Sequence, residues 1–194
     1  MAQRSCETVD PRIRRTRQLL QQALDTLLKN KELDDISVQD IADEATVNRA
    51  TFYDHYNDKF QLLNAMVSCR FHQLLSDREV QFEGACAAEL RTLVLAVCDY
   101  LAQSPSMEPH MESAIIMAIR EILLEGVKRH PHASEVPPEM VAATVSWAIY
   151  GAAKEWAESP NRCTSEDVAD TVTMLISPVL QLPQPASLKK APAG

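Results

Sequence analysis

Apolar positions recur at helical spacing along nearly the whole 194-residue chain. Ile13, Leu20, Ala23, Leu24 and Leu27 form one stripe over residues 11–29, with Pro11 fitting the first turn, where its missing N–H costs nothing. Val38, Ile41, Ala42 and Ala45 then recur at i, i+3, i+4 and i+7, with Ser37 just before them and Asp40 placed to complete a capping pair. After Thr46 and Val47, Asn48 can cap a second short helix. Its Phe52 and Tyr56, four apart, face inward and leave Arg49, Thr51, Tyr53 and His55 outward. Asn57 and Asp58, before Lys59, predict the start of a longer helix with Phe60, Leu63, Val67, Phe71 and Leu74 on one face.

Further helices are expected over residues 85–103, 111–128, 138–158 and 165–182, separated by Ser104-Pro105, His130-Pro131 and Ser159-Pro160. Ser165 with Asp167 can start the last, whose stripe is Val168, Val172, Leu175 or Ile176, and Val179. No run alternates apolar and polar residues for long enough to predict a strand, so the pattern predicts an all-α protein of eight to nine helices. Residues 183–194 form a low-complexity tail expected to be disordered.

The segment 37–59 carries the most chemistry. Two short helices joined by about three residues can lay the second helix in a major groove. The side chains left outward are of the kinds that reach phosphates and base edges. Here the residues also carry a resemblance. Ile41-Ala42, Val47, Ala50-Thr51-Phe52-Tyr53, His55-Tyr56, Lys59 and Leu62-Leu63 resemble the N-terminal signature of the tetracycline-repressor (TetR) family of transcriptional regulators. With the helix before it, the signature covers about the first third of the chain. One departure is Thr46, where the family usually has Gly; Gly tolerates positive φ at little cost and Thr does not.

The resemblance implies an N-terminal three-helix helix-turn-helix DNA-binding domain over residues 1–57 and a C-terminal effector-binding and dimerisation domain over 58–182. It implies a transcriptional regulator, a repressor by family habit, released from a palindromic operator by a small-molecule effector. Arg49 and Thr51, with Asn48, are assigned to base edges; Tyr53, His55, Lys59 and Ser37 are assigned to phosphates. It also implies a homodimer through the last two long helices. The residues agree, because helix 138–158 is apolar on two faces, one with Val141, Val145, Ala148 and Ala152, the other with Met140, Trp147, Tyr150 and Gly151. A four-helix bundle across a two-fold axis would bury both, and Gly151, Ala152 and Ala153 would allow close approach. The alternative is a central core helix in a monomer. For an effector pocket the candidates are Phe71, Cys98, His110, Met111, Met117, Trp147 and Tyr150, with His72 and Met107 beside them; each also reads as ordinary core or surface.

A net charge of -8 argues only weakly against a polyanionic partner, since affinity depends on where charge lies. Residues 1–60 hold nine Lys or Arg and eleven Asp or Glu, a net of -2, which leaves -6 for the rest. The expected DNA-binding part therefore relies on placed cations such as Arg12, Arg14, Arg15 and Arg17. The longest apolar stretch, residues 141–153, is interrupted by Thr144 and Ser146, and no signal-type segment is read; a cytoplasmic protein without membrane contact is expected.

Five cysteines, Cys6, Cys69, Cys86, Cys98 and Cys163, without a Cys-x-x-Cys pair, read as reduced thiols buried in helices, with a redox role for one as the alternative. Cys69 and His72, three apart on a helix, could share a metal with His130 and His132 adding ligands, but without a Cys-x-x-Cys or His-Glu-x-x-His spacing neither metal nor cofactor is expected. Two other functional classes compete. An enzyme pairing Cys98 with His72 or His110 lacks any nucleophile motif. A helical protein-interaction adaptor would use Tyr53 and His55 as anchors and bind no DNA.

Overall fold

In the computed structural model, residues 10–78, 86–103, 109–129 and 136–180 are described. Among them the chain is all-helical: α1 (Pro11–Leu28), a single 3-10 turn (Leu33–Asp35), α2 (Val38–Glu44), α3 (Arg49–Tyr53), α4 (Lys59–Asp77), α5 (Ala87–Gln103), α6 (Pro109–Arg129), α7 (Pro138–Glu158) and α8 (Ser165–Ile176). No helix among the described residues is long and apolar enough to cross a membrane.

The chain divides into two compact units. One holds residues up to Val67 together with Glu108–Ala114; the other holds Ser68–Met107 and everything from Ile115 on. The first unit thus reaches ten residues past the expected boundary at residue 57 and takes in the start of α6. Residues 183–194, the expected tail, lie outside the described residues.

In the first unit α1 packs on α2 and α2 on α3, around Leu20, Leu24, Ile36, Ile41, Phe52 and Leu62, all fully buried. Ile13, the first member of the expected α1 stripe, is instead exposed, because the stripe's buried part begins two turns later at Leu20. The chain enters α1 through Asp10, whose carboxylate accepts from the Arg12 N–H at 2.8 Å, and leaves it without a glycine. Ser37 caps α2 as expected: its hydroxyl oxygen accepts from the Asp40 N–H at 3.1 Å, and the Asp40 carboxylate accepts from the Ser37 N–H at 2.8 Å. The Ser37 hydroxyl, then its backbone N–H, hold the Asp40 carboxyl below the usual carboxylate range. That contribution is complete above the ordinary carboxylate value and is lost as pH falls through the lowered one.

The end of α2 explains the departure at Thr46. The Val47 N–H donates to Ala42 O at 2.9 Å and the Thr46 N–H to Asp43 O at 3.0 Å, the paired bonds of a Schellman cap. That cap needs a left-handed residue after the last helical one, and Thr46 supplies it with φ 55°. It is the one non-glycine positive φ among the described residues. A β-branched residue there crowds its Cβ against the backbone, at a cost of roughly 1–2 kcal/mol. The turn keeps the geometry glycine would give it and carries the strain instead.

In the second unit α5 packs against both α7 and α8, and Leu90, Leu93, Val94, Ala96, Val97 and Cys98 disappear from solvent. Phe71 stacks on Tyr100 at 5.0 Å between centroids, and ion pairs Arg78 to Asp99 and Arg91 to Asp170 tie the helices at the rim. The last helix is capped by Thr164 with Asp167, one residue before the expected Ser165, and ends at Ile176, six residues short of the expected 182; a turn follows it. Burial of all thiols is corrected: Cys98 is buried, its pKa pushed up to about 12 chiefly by desolvation, whereas Cys69 and Cys163 are exposed; Cys6 lies outside the described residues.

The strain at Thr46 makes a direct prediction. Thr46→Gly should raise stability by ~0.5–1 kcal/mol, the relief less the extra chain entropy of glycine, and the thermal midpoint by about 2–4 °C. Calorimetry on both proteins checks it; an unchanged or lower midpoint would mean that the left-handed cap is not strained.

Candidate nucleic-acid interface

The candidate surface is built on α3, a helix of only five residues. So short a segment cannot hold helical form alone, and each of its ends is fixed from outside. Asn48 caps it, its side-chain oxygen accepting the Ala50 N–H at 2.9 Å, directly after the Schellman turn at Thr46. Phe52 is fully buried, in edge contact with Tyr53 and tilted against Tyr56. Tyr56, also buried, accepts a hydrogen bond at its hydroxyl from Gln21 Nε2 of α1, 3.3 Å away. Gln21 had no role in the sequence reading. It is polar on a helix face that otherwise reads as half-solvated, so no signal marked it.

With Phe52 and Tyr56 pointing in, Arg49 and Tyr53 are exposed and Thr51 and His55 are half-buried. Arg49 is held against Tyr53: its Nη2 donates to the tyrosine hydroxyl at 3.3 Å, with the guanidinium carbon 5.7 Å from the ring centroid. The pair lies one helical turn apart, which orders a long side chain before any partner arrives. His55 sits near Arg17 of α1. Burial pushes its imidazole below the usual histidine value, the positive charge of Arg17 adds to that, and Asp54 pulls partly the other way. It therefore stands neutral at neutral pH, able to donate one N–H, while Arg17 supplies the charge beside it.

Two residues assigned to phosphates are engaged elsewhere. Lys59 turns its ammonium into the turn between α1 and α2, donating to Leu33 O at 2.7 Å, Ile36 O at 2.9 Å and Asp34 O at 3.0 Å. An ammonium has three protons, and all three have acceptors, so in the chain by itself Lys59 is a backbone staple. Ser37 spends its one hydroxyl proton on the Asp40 carboxylate at 2.6 Å, so it too is a capping residue. The start of α4 is fixed separately: Asp58 accepts from the Gln61 N–H at 2.7 Å and the Gln61 side chain accepts from the Asn57 N–H at 2.6 Å.

The seven effector candidates fall in both units. His110 and Met111 belong to the first unit, at the start of α6. Phe71, Cys98 and Tyr150 are buried in the second. Met117 and Trp147 are exposed, at 44% and 59%, on α6 and α7.

Known proteins resemble the chain in sequence and in fold. Residues 20–66 match the profile of "Bacterial regulatory proteins, tetR family". The chain is 43% identical over 60 residues to YxbF of Bacillus subtilis (strain 168), an uncharacterized HTH-type transcriptional regulator; the match spans 30% of this chain but 16% of that relative. Two solved structures share the fold. A TetR-family regulator from Streptomyces coelicolor A3 aligns with a TM-score of 0.59 at 15% identity, over 93% of this chain and 99% of that one. A TetR transcriptional regulator from Streptococcus agalactiae 2603V aligns with a TM-score of 0.51 at 21% identity, over 85% and 95%. Over residues 20–66, from α1 into α4, the chain is thus similar to the bacterial regulatory proteins of the tetR family.

Proposed function

We propose that this protein is a DNA-binding transcriptional regulator that acts as a homodimer on a palindromic operator. The observation that carries the reading is the outward face of α3, where Arg49 is ordered on Tyr53 beside Thr51 while Phe52 anchors the helix from behind. Arg49 and Thr51, with Asn48 at the helix start, read base edges in the major groove. Tyr53, His55 and Arg17 fix the register through phosphates. Repression, and release by a small-molecule effector acting on the second unit, follow from the family resemblance.

Support for the dimer comes from the surface of the second unit. Met140, Thr144, Trp147, Ala148 and Gly151 follow one another up an exposed side of α7, and Met174, Leu175 and Val179 are exposed on α8 and the turn after it. Met140 and Leu175 are more than three-fifths exposed, an unusual density of large apolar side chains for a surface meant to stay in water. Gly151 lies inside α7, where glycine costs about 1 kcal/mol relative to alanine. A Cβ at that position would meet nothing within 4 Å, so no neighbour among the described residues requires the glycine. A second copy of α7 packed close across a two-fold axis would require it. The face Val141, Val145, Ala148 and Ala152 is divided: Val145 is buried in the unit and Ala148 is exposed with the other stripe.

Two experiments follow. Selected-site binding on random duplexes should yield a palindrome; Arg49→Ala should relax preference at one position in each half-site. Arg17→Ala should weaken binding to all sequences alike and reduce the salt slope by about one. No recovered motif, or a preference unaltered by Arg49→Ala, would contradict the assignment, and a folded chain with no salt-dependent affinity would favour the adaptor instead. Sedimentation should show a dimer that Gly151→Ala weakens and Gly151→Leu weakens further, by tenfold or more, since each added side chain forces the helices apart. A dimer indifferent to Gly151→Leu would place the interface elsewhere.

A further inference from the structure

His110, at the start of α6, is absorbed neither by the reading face nor by a pocket. Its Nε2 lies 3.1 Å from the Asp34 carboxylate, and its ring packs on Phe60 at 4.8 Å between centroids, tilted by 47°. Asp34 is gripped at its other end as well, its carbonyl accepting from the Lys59 ammonium at 3.0 Å. That ammonium lies 5.6 Å from the same Phe60 ring. Four residues from three elements, the 3-10 turn, α4 and α6, thus form one cluster around a turn that ends two residues before the Ser37 cap of α2. Within itself the turn has the bonds Asp35 N–H to Glu32 O and Ile36 N–H to Leu33 O, both 3.1 Å. Lys59 and His110 add grips from outside it.

We propose that His110 is a positioning residue for the DNA-reading helices, latching the turn that feeds α2 through Asp34 and Phe60. Lys59 is the permanent grip, since three backbone carbonyls share one ammonium. His110 is the adjustable one. It sits on a helix that belongs to the first unit only as far as Ala114 and continues unbroken to Arg129 in the second. Rotation or sliding of α6 would therefore act on Asp34 and, through the turn, on the start of α2. The pair is partly exposed, with side-chain accessibilities of 39% and 73%, so its strength suits a latch that can be released rather than a core contact. The proposal rests on the DNA-binding reading for its consequence, but not for its geometry.

The test is a double-mutant cycle in the full chain with His110→Ala, Asp34→Ala and both together, reading amide exchange and duplex affinity. His110→Ala should speed exchange at Asp35 and Ile36 by roughly 2–5-fold, the range an exposed pair commands, and weaken binding of the selected duplex by a similar factor. The thermal midpoint and exchange in α8 should stay as they are. Adding Asp34→Ala should do little more, because the partner is already lost. His110→Gln, which keeps an N–H donor without the ring, and His110→Phe, which keeps the ring without the donor, should each restore part of the protection.

Unchanged exchange in His110→Ala, or fully additive effects in the cycle, would overturn the latch. Faster exchange with full duplex affinity would overturn its positioning role. If the wild-type chain binds no duplex at all, the functional reading fails alone, and the exchange cycle still decides the latch.

Discussion

A five-residue helix cannot sustain itself, and the first unit is organised around that fact. Isolated helices shorter than about 12–15 residues are marginal in water, so α3 exists because its neighbours hold it. Asn48 closes its N-terminus, Phe52 anchors it in the core, and Gln21 reaches from α1 to the hydroxyl of Tyr56 just beyond its end. Brevity is also what makes the surface useful. With one turn of helix, nearly every side chain not committed to anchoring is presented, and Arg49 and Tyr53 occupy that face as an ordered pair.

The same economy shows in the turns on either side of α2. At its start, Ser37 and Asp40 satisfy one another, while Lys59 neutralises three carbonyls of the preceding turn. At its end the Schellman bonds are complete, although the residue supplying the left-handed step is a threonine. Strained backbone persists where the surroundings over-determine it. Here the buried Ala42 and Ala45 before the turn and Asn48 after it leave the chain no other route.

Helical spacing made most of the architecture legible. α7 was bounded to the residue, since a proline pair opens it and Ser159-Pro160 closes it, and the caps at Ser37 and Asn48 were visible as residue types. What spacing could not reveal was the partner of a polar side chain. Lys59 follows two capping residues in a sequence that resembles a phosphate contact, yet its ammonium is drawn to carbonyls 23 to 26 residues earlier, a meeting only the tertiary fold creates. His110 read as a pocket residue for the same reason: its neighbours Asp34 and Phe60 are remote in sequence. Trp147 and Met117 show the converse. Apolar character was plain, but whether it faced the core of one chain or the outside was not.

Much here turns on whether α3 presents its outer face to duplex DNA. Amide chemical shifts of the labelled protein, followed as a selected palindromic duplex is added, decide it. Saturable shifts should concentrate at residues 48–55, at the start of α2 and around Arg17, with α5 and α8 amides far less affected. Shifts that leave residues 48–55 in place while other surfaces respond would contradict it.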